Sequence, residues 1–165
     1  RVMFPGGWYF GHLGPYAEAT NSGCTTALTL IGNVMPVLNA NLKQETLAAH
    51  KQLSFEQLLS SWLSSAGWEV LIPVIDHGKK TDLVVADDDH YYRIQVKSVQ
   101  TDNESARVDN KWNTAKIHYV VYFSTIGEWG YITPAFSESS RSLNAPGHIR
   151  FHKHPSNFLK AFKKI

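Results

Sequence analysis

The sequence predicts an α/β or α+β fold in which a central mixed β-sheet is flanked by helices. A helical repeat of apolar residues covers about 54–66, and an amphipathic helix at about 155–164 closes the chain. Between them lie short apolar segments with the length and composition of strands. These segments lie at 68–73, 81–86, 91–99, 117–124, 129–133 and 148–151. Helices before and after a run of strands, without internal repeats, are typical of one sheet with helices packed on it.

The first helix is predicted from its apolar spacing and its end signals. Ser54 is a candidate N-cap with Gln57 three positions later, and Gly67 is a suitable C-terminal stop. An earlier start near Lys43 is the alternative, because residues 43–52 are also helix-forming. Apolar residues recur at helical spacing, which predicts a buried stripe. They are Phe55, Leu58, Leu59, Trp62, Leu63 and Ala66.

The strands are predicted to form two hairpins. The acidic segment 87–90 is a tight connection between 81–86 and 91–99, which favours an antiparallel pair. The segments 117–124 and 129–133 are the second pair. The stretch 107–116 between the hairpins is interpreted as a loop or short helix.

The first 34 residues differ from the rest of the chain. They contain two formal charges, Arg1 and Glu18, and no sustained helical or strand period. The sequence begins with Arg, and Met35 is a plausible start. We therefore expect residues 1–34 to be a dispensable or untranslated leader or N-terminal arm that is not part of the native protein, and residues 35–165 to be a single domain. A genuine but poorly structured arm is the alternative.

Composition excludes several classes of protein. Cys24 is the only cysteine, so the chain has no internal disulfide and no cysteine-based zinc site. The apolar runs are shorter than the roughly 20 residues of a membrane-spanning helix, and no signal segment opens the chain. A cytoplasmic protein with no membrane partner is the expectation. The net charge is +2, but six cations and no carboxylate follow Ser139; these cations either track a phosphate backbone or form a solvated face.

Four polar residues stand out against these elements. Glu56 lies on the first helix and Asp82 opens the second strand. Gln95 and Lys97 lie on the third strand, where alternation projects both from one face. Apolar strands rarely carry such groups unless they converge, so the sequence predicts a site here.

The residue types predict metal-dependent phosphodiester hydrolysis. Mg²⁺, or Mn²⁺ as a substitute, prefers oxygen ligands, which Asp82, Gln95 and the Val96 carbonyl would supply. Glu56 would bind directly or through water. Lys97 would hold or help to deprotonate the attacking water and offset charge in the transition state.

The helix Glu56, the strand Asp82, the acidic turn and Gln95-Val96-Lys97 resemble the PD-(D/E)xK nuclease superfamily. The resemblance extends over about 53–134 and is to the Q-x-K branch, which includes a group I intron homing endonuclease and Holliday-junction-resolvase-like relatives. It implies a restriction-endonuclease-like core and a magnesium-dependent DNA endonuclease that leaves a 5′-phosphate. It also places Glu56, Asp82, Gln95 and Lys97 at the catalytic positions. A small nuclease core has little surface for reading a long site, so a homodimer or homotetramer is expected, in a prokaryotic or phage-encoded protein.

Two departures from the family pattern leave alternatives open. Gln95 stands where the family usually has an acid, and no Pro precedes Asp82. A catalytically inactive DNA-binding or element-excision accessory protein with the same fold is therefore the main alternative. An RNA nuclease is the third interpretation.

Basic residues near the motif are candidate DNA contacts. Lys79 and Lys80 come just before Asp82, and three more cations surround Trp112. Trp112 itself either contacts DNA or covers the core. The three further cations are Arg107, Lys111 and Lys116.

Overall fold

The computed structural model describes residues 42–75, 78–112 and 114–165. The chain divides between Asn39 and Ala40, and all described residues belong to the second unit. The predicted boundary at 34/35 and the start at Met35 lie outside the described residues. None of the helices in the described ranges is both long and apolar enough to cross a membrane.

Two helices and eight strands make up the described fold. Six strands form one sheet in the order β1-β2-β3-β5-β6-β8, in which β3 and β5 are parallel and the other neighbours antiparallel. The remaining strands, β4 and β7, form a separate antiparallel pair. This mixed sheet with helices confirms the predicted fold class. The elements are α1 Gln44–Ser65, β1 Glu69–Leu71, β2 Leu83–Asp87, β3 His90–Val99, β4 Arg107–Asp109, β5 Tyr119–Ser124, β6 Trp129–Pro134, β7 Ser140–Ser142, β8 Ile149–His152 and α2 Pro155–Phe162.

Helix α1 begins ten residues before Ser54, so the predicted cap at Ser54 is wrong and the longer alternative is correct. The Ser54 hydroxyl instead donates to the Lys51 carbonyl at 2.7 Å, the bond back along the helix that serine makes inside one. The predicted stop is correct. Gly67 has φ +89°, and the amide of Trp68 donates to the Leu63 carbonyl at 3.1 Å, as in a Schellman motif.

Both predicted hairpins are present, but the connection between them was misinterpreted. Strand β3 runs parallel to β5, and a parallel neighbour requires a crossover. Part of that crossover is β4, which pairs with β7, where the sequence predicted a loop or short helix. Three-residue strands such as Arg107–Asp109 are too short to show an alternating pattern.

The two faces of the large sheet carry separate cores. Both helices pack on one face, where their side chains meet the apolar side of β3 and β5. The opposite face is covered by the β4/β7 pair and its loops. Ile94 and Val96 belong to the helix-side core, so Gln95 and Lys97 point toward the opposite face.

Candidate functional site

The predicted site lies where strand β3 loses its neighbour on one edge. The β2 pairing ends at Leu83 opposite Ile94, whereas β5 pairs with β3 as far as Val99. Backbone groups beyond Ile94 on the β2 edge are therefore bonded by side chains. The Val96 amide donates to the Asp82 carboxylate at 2.7 Å, and the Val96 carbonyl accepts from Gln52 Nε2 at 2.7 Å.

Asp82 is positioned by both backbone and side chain. Its amide donates to the Ile94 carbonyl at 3.0 Å, directly before Leu83, the last β2 residue that pairs with β3. Its Oδ2 accepts the Val96 amide, a charge-assisted bond. The half-buried carboxylate is therefore held against β3.

Glu56 reaches the same edge through a residue that the sequence analysis missed. Gln52 Nε2 donates to Glu56 Oε1 at 3.0 Å as well as to the Val96 carbonyl. Gln52 Oε1 accepts from the Ser98 amide at 2.9 Å. The sequence signal for Gln52 is its position four residues before Glu56, which puts both side chains on the same face of a helix. That signal applies only if the helix begins before Ser54, as α1 does.

The amide side chain of Gln95 is buried, but its oxygen accepts no hydrogen bond from the described residues. Its side chain is 1% exposed, and its Oε1 has no hydrogen-bond partner in the described part of the chain. A buried carbonyl oxygen without a partner costs about 1–3 kcal/mol. Such an atom in a folded protein needs an explanation, and a missing ligand is one.

Lys97 points into a groove of about 210 Å³ on the β4/β7 side. On β5 the residue paired with Lys97 is Tyr122, whose hydroxyl is buried without a partner among the described residues. Burial, with a smaller contribution from Asp109, raises the pKa of Tyr122, so this phenol stays neutral. The rest of the groove lining includes Arg107, Asp109, Lys111 and Trp112.

The predicted DNA contacts are only partly brought together. Arg107 and Lys111 line the groove, whereas Lys116 is exposed outside it. The Arg107 guanidinium already donates to the hydroxyl and carbonyl of Ser140 on β7. Lys79 and Lys80 are exposed in the loop before β2.

Two open alternatives are decided by packing. Trp112 is 4% exposed and packs edge-on to Phe136 with ring centroids 4.8 Å apart, so it belongs to the core. Three of the six cations after Ser139 form ion pairs with carboxylates, at 2.7–3.4 Å, which favours a structural role for them. These pairs are Arg141–Glu138, Arg150–Glu104 and Lys153–Glu128.

The donor set around Val96 is suited to a hard divalent cation. Hydrogen bonds connect the Asp82 and Glu56 carboxylates to Val96, the first directly and the second through Gln52. The adjacent Gln95 adds an oxygen that has no partner among the described residues. No group of three or more His, Cys, Asp or Glu side chains is placed to hold a metal within the described ranges. The fit therefore depends on amide and backbone oxygens in place of a third carboxylate.

Comparison with known proteins gives one match to a family model and two solved structures that are similar to this chain. Residues 54–126 match the family model described as PD-(D/E)XK endonuclease, a span that contains Glu56, Asp82, Gln95 and Lys97. No curated protein sequence matches the chain. A bacterial homing endonuclease of known structure is 20% identical, with a TM-score of 0.45 over 68% of this chain and 78% of that one. The Holliday junction resolvase Hjc of the archaeal hyperthermophile Archaeoglobus fulgidus is 16% identical, with a TM-score of 0.40 over 55% of this chain and 80% of that one.

The matched segment coincides with the site described above. It begins within α1 and ends just after β5, and it includes the complete β2–β3 hairpin. The family match over residues 54–126 therefore agrees with the resemblance that the sequence motif predicts.

Proposed function

We propose that this protein is a DNA endonuclease that depends on a divalent cation, Mg²⁺ or Mn²⁺. Asp82, Gln95 and the Val96 carbonyl would bind the cation directly, and Glu56 directly or through water. The observation that carries the proposal is the buried Gln95 oxygen, which has no hydrogen-bond partner among the described residues and lies on the strand whose edge Asp82 bonds. The family match over 54–126 supports the nuclease activity.

A cation bound there would lower the pKa of a water molecule and offset negative charge on the phosphate. Protein groups do the remaining work. Asp82 and Glu56 supply negative charge on either side of Val96, and the Asp82 carboxylate keeps the strand edge in place. Hydrogen bonds from the Val96 amide and from Gln52 hold these carboxylates, which preorganises this part of the site.

Lys97 is the proposed catalytic cation of the protein. It is half-buried on the same face as Gln95 and opens onto the groove. Its ammonium would orient the attacking water and stabilise charge on the phosphorane-like transition state. Lys111 and Arg107 at the same groove, with Lys79 and Lys80 before β2, favour a phosphate backbone as the substrate.

The biological setting extends the same proposal. We place the enzyme in the cytoplasm of a prokaryote or its phage, acting as a homodimer or homotetramer with a homing-endonuclease-like or Holliday-junction-resolvase-like role. The expected product has a 5′-phosphate. Two copies would double the surface available to contact DNA.

The deciding experiment incubates the protein with supercoiled plasmid and with a four-way junction, in Mg²⁺ or Mn²⁺. Wild type is expected to cut at least one substrate. Asp82→Asn should abolish cleavage without unfolding the protein, because the new amide oxygen can still accept the Val96 amide. The matched control is Asp89→Asn in the exposed β2–β3 turn, which should cut like wild type. No cleavage by wild type, or full activity in Asp82→Asn, would refute the assignment.

One observation favours a second candidate, a non-catalytic DNA-binding or element-excision accessory protein. Gln95 replaces an acid, which leaves fewer negative charges to hold a cation. A gel-shift measurement on the same duplex and junction separates the two candidates. Binding of either DNA without cleavage in Mg²⁺ or Mn²⁺ would favour the accessory protein.

A further inference from the structure

We propose that Gln52 is a positioning residue of this site, which fixes the Glu56 carboxylate and the Val96 carbonyl relative to each other. The inference rests on the proposed function, because it concerns how the same cation ligands are held. Gln52 lies on α1, one turn before Glu56, and is half-buried. Its contacts connect two elements that are 44 residues apart in the chain.

The Gln52 amide uses both of its donor hydrogens and one acceptor site of its oxygen at this edge. Its nitrogen has two hydrogens and donates to two oxygens, Glu56 Oε1 at 3.0 Å and the Val96 carbonyl at 2.7 Å. Its oxygen accepts the Ser98 amide at 2.9 Å. The Gln52 side chain therefore connects α1 with the backbone of β3.

The Gln52 amide bonds the backbone of β3 as a peptide group of a neighbouring strand would. Val96 and Ser98 are two apart, so their backbone groups face the same edge of β3. Within the described ranges, no strand pairs with that edge beyond Ile94. Gln52 offers a donor to Val96 and an acceptor to Ser98, as a neighbouring strand would. The axial position of α1 against β3 is thereby fixed, because a shift by one residue would move the amide about 1.5 Å.

The same contacts bring two negative oxygens close together before a cation arrives. Glu56 Oε1 and the Val96 carbonyl oxygen both accept a hydrogen bond from Gln52 Nε2. The distance between the two oxygens therefore cannot exceed the sum of the two hydrogen-bond lengths. Oxygens this close repel unless a positive group lies between them. The amide hydrogens of Gln52 offset that repulsion, so a cation meets ligands that are already aligned. Removing a residue that hydrogen-bonds to a metal ligand and orients it commonly weakens metal binding by roughly 10- to 100-fold.

The test replaces Gln52 with an apolar side chain of similar shape. Gln52→Met removes all three hydrogen bonds and keeps both volume and net charge. The matched control is Gln57→Met, the same change at an exposed position of α1. The Kd for Mn²⁺, measured by calorimetry without DNA, should rise about 10- to 100-fold in Gln52→Met and stay unchanged in Gln57→Met. Hydrogen exchange of the Ser98 amide in the cation-free protein should also become faster in Gln52→Met alone.

A merely structural role would give a different result. It would lower the Tm of Gln52→Met but leave the Mn²⁺ Kd of the folded protein at the wild-type value, and that outcome would overturn the proposal. If Gln52→Met does not fold, Gln52→Asn serves instead, because it keeps the amide on a side chain one methylene too short.

A double mutant tests whether Gln52 acts through Glu56. The increase in Mn²⁺ Kd caused by Gln52→Met should be smaller when Glu56→Gln is already present, since the two residues share one hydrogen bond. An equal increase in both backgrounds would contradict the role. A wild type that neither binds Mn²⁺ nor cuts DNA would refute the proposed function and this role with it. A wild type that does both, alongside an indistinguishable Gln52→Met, would refute the role of Gln52 alone.

Discussion

The two faces of strand β3 are equally buried at its centre but differ in chemistry. Ile94 and Val96 are 0% exposed and pack into the helix-side core. Gln95, between them, is 1% exposed on the other face, where its oxygen has no partner among the described residues. One face therefore gains stability from apolar burial, whereas the other accepts a cost. We attribute that cost to function.

The two edges of β3 show a parallel difference. Toward β5, backbone pairing continues to Val99. Toward β2, pairing ends at Ile94, and the side chains of Asp82 and Gln52 bond the next backbone groups. The polar face and the open edge coincide at residues 95–98. The side chains that bond this open edge are therefore Asp82, a proposed cation ligand, and Gln52, the proposed positioning residue.

The largest effect on stability is expected on the helix face. Phe158 is fully buried in a cluster of rings that includes Trp62 and Phe151, with centroids 5.6 Å and 5.2 Å from its own. Phe158→Ala should lower the free energy of unfolding by about 3–5 kcal/mol, measured by urea denaturation. Lys160→Ala, exposed on the same helix, is the control. An equal and small loss in both variants would contradict the assignment of this face as the main source of stability.

The next effect is expected on activity, at the opposite face. Lys97→Met keeps the apolar stem of the side chain and removes its charge. The rate of plasmid cleavage should fall about 10²- to 10³-fold, as when one transition-state donor is removed, while the urea midpoint changes little. Lys160→Met, distant in sequence and exposed, should cleave at the wild-type rate. Cleavage at that rate by Lys97→Met would show that the groove face does not carry the reaction.

A pair of opposite substitutions compares the faces directly. Gln95→Met removes a buried oxygen that has no hydrogen-bond partner among the described residues, so the free energy of unfolding should stay unchanged or rise. The Mn²⁺ concentration for half-maximal cleavage should increase at least about 10-fold, because a proposed ligand is lost. Val121→Thr puts a hydroxyl into the helix-side core at a residue that is 0% exposed, so it should lower stability by about 1–3 kcal/mol. Urea denaturation and Mn²⁺ titration of cleavage measure both. A large loss of stability in Gln95→Met would mean that the amide is structural.

The smallest effect concerns acid sensitivity on the groove side. Hydrogen bonds from Arg150, and then from Tyr131, hold the pKa of the Glu104 carboxyl below its usual range. A depressed folded-state pKa contributes stability above the unfolded pKa of about 4.3, and that stability is lost as the pH falls through the folded value. Glu104→Gln should therefore lose less stability than wild type between pH 6 and pH 3, as followed by urea midpoints. The difference should be small because the pair is about one-third exposed. Identical pH dependence would show that the pair does not contribute.

Most of the fold and part of the site could be predicted from local patterns. The α1 stop at Gly67, the β2–β3 hairpin and the shared face of Gln95 and Lys97 all follow from turn chemistry or strand alternation. The missed elements depend on distant partners. Strand β4 exists because β7 pairs with it more than 30 residues later in the chain; Val108, for example, pairs with Arg141. The start of α1 was ambiguous because a serine such as Ser54 can either cap a helix or lie inside one. Inside the helix, its hydroxyl donates to the Lys51 carbonyl.

By itself, the sequence determined which residue types alternate along β3, and hence that Gln95 and Lys97 share a face opposite Ile94 and Val96. It also determined the family motif, since that motif is a matter of spacing. Only the tertiary structure decided that α1 lies against the open edge of β3, where Gln52 bonds Val96 and Ser98. The physical reason is that alternation is a property of one strand, whereas a bond between groups 44 residues apart forms only when packing brings both elements together.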